Sequence, residues 1–218
     1  MTDAQPHTAA EATIAFLLAL RSRGLRDTAL LRALETVPRG RFVPRRFADL
    51  ALQDVGLPIG CGQTLPAPSH IATLIGALDV KPDHRILEIG TGSGYMAALL
   101  ARLGRDVVSI ERFRSLAVEA AARLNTLGFG NVHIFHGDGQ RGHLERAPYD
   151  RIVIDAAFAA PPSSVLAQLA EGGVLVGIGR NEEGMRVMRV AKVGGAAHIE
   201  WGVPLAAAPL ASGVAAAL

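Results

Sequence analysis

From His84 onward the chain alternates between two textures. RILEIG (85–90), RDVVSIE (105–111), NVHIFHG (131–137), YDRIVIDAA (149–157) and GGVLVGIG (172–179) are short, almost unbroken apolar runs. Runs of that length, bounded by glycine and polar residues, predict strands. Between them lie alanine- and leucine-rich segments: one to about Leu103, one from Phe113 to Leu127, and one near Ser163 to Ala170. These predict helices, and strands alternating with helices predict βαβ units and a mostly parallel sheet. Past Arg180, MRVMRVAKVG and HIEW predict two late strands closing one edge, with an antiparallel arrangement left open. The tail APLASGVAAAL has no clear period and receives no element, and no internal repeat is present.

Upstream of His84 the pattern is helical over 8–23 and 27–37, with Asp27 as N-cap and Gly24 as a stop. The prolines of VPRGRFVPRRF break this pattern into an arm. The arm leads to LPIGCGQTLPAPSHIA (57–72), where three prolines and two glycines surround a few polar side chains. Proline fixes φ and glycine opens unusual φ, so this stretch predicts a shaped loop. Ser69 is expected to cap a helix running to about Asp79, with KPDH turning the chain into the first strand.

At 218 residues, half of them hydrophobic, the chain suits one domain. Its formal net charge is +2 and its arginines are dispersed, with no basic run interleaved with aromatics. No nucleic-acid partner is therefore expected. The single cysteine, Cys61, excludes an internal disulfide framework and reads as a small filler. His70, His133, His136 and His143 lack ligand spacing, so no metal is expected. MTDAQPHTAAEA has no basic n-region, and AFLLAL is too short to span a bilayer. The expectation is a soluble cytoplasmic protein without a membrane partner.

ILEIGTGSGYMAALLA carries the strongest chemistry. A glycine turn between a strand and a helix lets backbone approach a ligand closely, with helix N–H groups pointing at it. Gly92, Gly94 and Ala97 match the dinucleotide spacing G-x-G-x-x-A, while Gly90, Gly92 and Gly94 match the G-x-G-x-G of methyltransferases. Glu88, inside the first strand, would repel a pyrophosphate and would tolerate the cationic sulfonium of S-adenosylmethionine. Glu111, ending the second strand, is placed to accept from both ribose hydroxyls, which suits either cofactor. Asp138 and Gly139, after the third strand, are placed near an adenine amino group. The expected donor site is Glu88, Gly90, Thr91, Gly92, Ser93, Gly94, Glu111, Asp138 and Gly139. Tyr95 is expected against cofactor or in the core, and Trp201 in packing near the late strands.

VPRGRFVP, LPIGCGQT, RILEIGTGSGY, VVSIER, GDG and GGVLVGIG occur in the order found in protein-L-isoaspartate O-methyltransferases. The chain resembles that family over about 14–205. The resemblance implies a Rossmann-like class I methyltransferase fold, α/β, with a seven-stranded, mostly parallel sheet, helices on both faces and an N-terminal helical arm. It implies one domain over 1–218: helices and substrate loop to 80, cofactor core over 81–180, late strands beyond. It also implies methyl transfer from S-adenosylmethionine to the α-carboxylate of L-isoaspartyl residues in damaged proteins, by an enzyme expected to be a monomer. Gln63 and Thr64 fall in the substrate loop, and Pro66 stands where the family carries an active-site serine. Ser69 is read as a helix cap rather than a substitute for it. Because of Pro66, two alternatives stay open: a carboxylate methyltransferase with another acceptor, and a non-catalytic S-adenosylmethionine-binding module.

Overall fold

The computed structural model describes residues 9–215. Helices α1 (Ala9–Ser22) and α2 (Thr28–Thr36) lead into two 3-10 turns, Arg39–Phe42 and Arg45–Leu50. A small hairpin of β1 (Leu57–Pro58) and β2 (Thr64–Leu65) precedes α3 (Pro68–Leu78). Then come β3 (Arg85–Ile89), α4 (Tyr95–Leu103), β4 (Asp106–Glu111), α5 (Arg114–Thr126), β5 (Val132–His136) and β6 (Tyr149–Phe158). The chain continues with α6 (Ser163–Ala167), β7 (Leu169–Asn181), β8 (Gly184–Val193) and β9 (Ala196–Pro204). The expected start of the first helix at residue 8, and residues 1–8 of the N-terminal segment weighed as a signal, lie outside the described residues, as does the tail after 215.

The sheet runs β5-β4-β3-β6-β7-β8-β9. Its first five strands are parallel, and β8 and β9 return antiparallel. Alternate residues feed two cores. Ile86, Val107, Val153 and Val176 face one layer with Leu74 and Leu99, while Leu87, Val108, Ile152 and Leu175 face the other with Val165. Burial on both faces explains the unbroken apolar runs. Between β3 and β6 the strand order reverses direction, the switch point where such sheets bind ligands at their C-terminal ends.

Asp27 caps α2 as expected, accepting from the N–H groups of Ala29 and Leu30 at 2.8 and 3.0 Å. Ser69 does not cap α3. Ala67 is the cap residue, Pro68 takes the first helical position, and the Ser69 N–H donates to Asp54 Oδ1 at 2.8 Å. A carboxylate from a distant loop thus satisfies a helix-start donor that a local hydroxyl was expected to serve. Helix α6 ends at Ala167, short of the expected Ala170, because β7 begins at Leu169. Trp201 lies opposite Met188 in the β8–β9 register and is 40 % exposed.

The loop over the sheet is fixed by Arg39, whose side chain is buried. Nη1 donates to the carbonyls of Ala51 and Gln53, and Nη2 to those of Val55 and Pro66, at 2.9–3.4 Å. One guanidinium thus satisfies four carbonyls from both ends of the 51–66 segment. Arg39→Met keeps much of the apolar stem but orphans those acceptors. Urea unfolding should show a loss of about 2–4 kcal/mol, with faster proteolysis within 51–66. Wild-type stability in this variant would show that the clamp is dispensable.

Candidate active site

At the C-terminal ends of β3 and β4 the chain enters the glycine turn. Gly90, Gly92 and Gly94 have φ of 101°, 53° and 88°, conformations that side chains with a Cβ rarely adopt. Gly90 and Thr91 donate their N–H groups to Ile110 O, which pins the turn to the end of β4. Glu111 grips it from the side: Oε2 accepts from Gly92 N–H at 2.8 Å and Oε1 from Phe113 N–H at 2.9 Å. Each oxygen keeps a lone pair for a ligand.

Gln63, Thr64, Gly90, Gly92, Glu111 and Gly139 line one cleft, open on one side. A Cβ at Gly139 would lie 2.3 Å from Ile89 Cγ2, so a side chain there would force Ile89 to move. Thr64, Gly90 and Gly92 also line an adjoining hollow with Pro66, Thr91 and Ser93. Ser93 Oγ is buried there without a partner, an orphan that a polar ligand group would satisfy. A glycine cradle, a carboxylate with free lone pairs and an orphan hydroxyl fit a polar adenosyl ligand.

Other expected residues sit differently. Gly94 caps α4 beneath the turn rather than facing the cleft, with Ala120 and Leu124 close against it. Asp138 accepts from Gln140 N–H and borders a neighbouring hollow with His136 and Arg141, leaving Gly139 to face the main cleft. Gln63 turns its amide back to Cys61 O, and Cys61 Sγ rests 3.1 Å from Ser115 Oγ. Pro66 contributes its carbonyl to the Arg39 clamp. Tyr95 is a core residue, buried beside Phe42. Among the described residues no cluster of side chains suits a metal ion.

Glu88 is fully buried beneath the turn and does not reach the cleft. Its place is a chain of hydroxyls: Thr91 Oγ1 donates to Ser109 Oγ, which donates to Glu88 Oε2, both at 2.5 Å. Burial pushes its carboxyl up to about 8; the Ser109 hydrogen bond opposes the shift, and the charges of Asp155 and Glu111 add to it. At neutral pH this acid is largely protonated, and through Ser109 and Thr91 it supports the turn from below.

Two wall elements were not expected from the sequence. The tail, unassigned before, pairs with β6: Ala157 donates to Ala208 O and Leu210 donates to Ala157 O, and residues 208–211 line the cleft. Asp155, near the end of β6, lines both the cleft and the hollow and accepts from His70 Nε2 at 2.9 Å. The signal for Asp155 was present, an acid directly after the apolar run of IVI (152–154).

Because Glu88 holds its proton in the fold up to about pH 8 but releases it near its ordinary range when unfolded, stability should fall as pH rises between these values. The contribution is complete below about pH 4 and gone above about pH 8. Glu88→Gln should flatten unfolding free energy against pH over that window, where the slope from one such group is at most about 1.4 kcal/mol per pH unit. An unchanged slope in this variant would mean that Glu88 is ionised in the fold.

The family model for protein-L-isoaspartate(D-aspartate) O-methyltransferase matches residues 11–212. A protein-L-isoaspartate O-methyltransferase of Azorhizobium caulinodans is 47 % identical over 219 residues, covering all of both chains. One of Xanthobacter autotrophicus is 47 % identical over 180 residues, 82 % of each chain. Among solved structures, a protein-L-isoaspartate O-methyltransferase superposes with a TM-score of 0.81 at 25 % identity, over 92 % of this chain and 66 % of that one. A Plasmodium falciparum protein solved with S-adenosyl-L-homocysteine shares the fold, with a TM-score of 0.77 at 22 % identity over 90 % of this chain and 97 % of that one. With the glycine turn, Glu111 and the 57–66 loop assembled at the switch point, these likenesses agree: the chain belongs to the protein-L-isoaspartate(D-aspartate) O-methyltransferase family.

Proposed function

We propose that the protein transfers a methyl group from S-adenosylmethionine to the α-carboxylate of L-isoaspartyl residues in damaged proteins and peptides. The observation that carries this reading is the cleft itself. Glu111 and the Gly90–Gly92 backbone form one wall, and Gln63 and Thr64 of the substrate loop form the other. The bound donor supplies an activated methyl group on a sulfonium. Glu111 would accept from the ribose hydroxyls, and Gly90 to Gly92 would let backbone close on the rest of the donor, with Thr91 and Ser93 lining the adjoining hollow. Gly139, with Asp138 behind it, frames the adenine, and Glu88 supports the turn.

Gln63, Thr64 and the backbone through Pro66 shape the acceptor site. The acceptor α-carboxylate has an ordinary pKa below about 4 and is already ionised, so no general base is required. The protein's task is alignment and exclusion of water, which can supply roughly 7–11 kcal/mol. Pro66 has neither hydroxyl nor N–H to offer, so orientation falls to Thr64, Gln63 and nearby backbone. In the resulting ester the neighbouring backbone amide nitrogen attacks the ester carbonyl and methanol leaves, giving a succinimide that water reopens in part to normal aspartate. The reading extends to one domain, with residues 1–80 carrying the substrate loop, 81–180 the donor core and 181–218 the late strands and tail. It also covers a monomeric, cytoplasmic enzyme without nucleic-acid or membrane partners. Among the described residues no helix is long and apolar enough to cross a membrane.

Radiolabelled methyl transfer to paired peptides tests this directly. The isoaspartyl peptide should be methylated and its aspartyl twin not. Thr64→Val should lower turnover more than donor affinity. Donor binding without transfer to the isoaspartyl peptide would overturn the acceptor assignment. Glu111→Ala should weaken S-adenosylmethionine binding in calorimetry by about 1.5–3 kcal/mol, the scale of hydrogen bonds to a charged group. Unchanged affinity would mean that the ribose lies elsewhere.

A further inference from the structure

The switch point holds one more carboxylate, to which the preceding reading gives no task. Asp155 sits in β6 at an irregularity: between the pairs Val153–Val176 and Ala157–Ile178, three residues of β6 lie against one of β7, Gly177. Bulges of this kind re-aim side chains and recur beside active sites. On the opposite side β3 ends at Ile89, paired with Ile154, so Asp155 lies beside Gly90. Among the described residues it is the one ionisable side chain that lines both the main cleft and the adjoining hollow. It therefore stands where the donor cleft meets the Thr64–Pro66 loop.

The neighbouring charges are differently engaged. Both Glu111 oxygens already accept backbone N–H groups. Glu88 is buried and largely protonated. Arg112 faces Gly213 O and the Phe113 ring. Asp155 takes one bond, from His70 Nε2 in the first turn of α3. A carboxylate can only accept, so that nitrogen carries the proton. The His70 and Asp155 side chains are 14 % and 13 % exposed, which shields their contact from solvent and leaves the second Asp155 oxygen without a protein partner.

We infer that Asp155, oriented by His70, reads the positive charge of the methyl donor and makes the cleft discriminate the sulfonium from its neutral thioether product. The inference rests on the donor assignment above. In the transfer, the acceptor oxygen forms a bond to the methyl carbon while the carbon–sulfur bond breaks and leaves its electron pair on sulfur. Sulfur loses its charge and no proton moves. A carboxylate at that junction then loses its attraction for the ligand once the reaction is over, which favours product release. Asp155 is a specificity residue under this inference, and His70 a positioning residue acting through it.

Calorimetry on the full chain with S-adenosylmethionine and S-adenosylhomocysteine separates the readings. Asp155→Asn should weaken the methionine form by about tenfold or more relative to the homocysteine form, whose affinity should stay near the wild type. His70→Leu should lose part of the same preference, and His70→Gln, which keeps an N–H donor, should retain more of it. Melting temperature without ligand reports folding, and Asp155→Ser serves if Asp155→Asn does not fold. Equal weakening of both ligands would place Asp155 on a group they share and overturn the inference, as would an unchanged ratio. A wild type that binds neither ligand would instead remove the donor assignment, and this inference with it.

Discussion

Parallel strands that end side by side leave backbone groups unpaired at their C-terminal edge, and this constraint organises the site. At the β3–β6 switch point the strands part, and whatever follows each must satisfy its own N–H groups or offer them to a ligand. Here β3 is followed by glycines, β4 ends on Glu111, and β6 carries Asp155 at its irregularity. The turn after β3 borrows Ile110 O and the Glu111 carboxylate to fix itself. The rest of the cleft is built around that one edge.

Three carboxyls crowd this edge, and each is made tolerable by a different means. Glu88, cut off from water, keeps its proton and accepts from Ser109. Glu111 is compensated by two backbone N–H groups. Asp155 is compensated by an imidazole from another element. Burying an ionised acid without such partners would be costly. The division matters for function, because a cationic donor benefits from nearby negative charge while an anionic acceptor does not. A site with all three acids ionised would oppose its own substrate.

The second wall is held from a distance. Arg39 ties 51–55 to Pro66, and Asp54 serves the start of α3. The Pro66 carbonyl is part of the clamp, so this residue has a structural task. The tail closes the remaining side by pairing with Ala157.

Much of this was legible in the chain. The apolar runs marked β3 to β6 to within about a residue at each end and the middle of β7, which extends from Leu169 to Asn181, because strands buried on both faces leave few alternatives for their composition. The glycine spacing and Glu111 were legible because a close-approach turn and an acid at a strand end are local requirements. What the sequence alone determined was therefore the fold, the turn and the family-specific loop. Only the tertiary structure decided that Glu88 lies below the cleft rather than in it, and that Ser69 is not a cap. It also decided that His70 meets Asp155 across 85 positions, and that an aperiodic tail becomes a wall. These depend on which distant segments a residue meets, and no local periodicity records contacts between elements far apart in the chain.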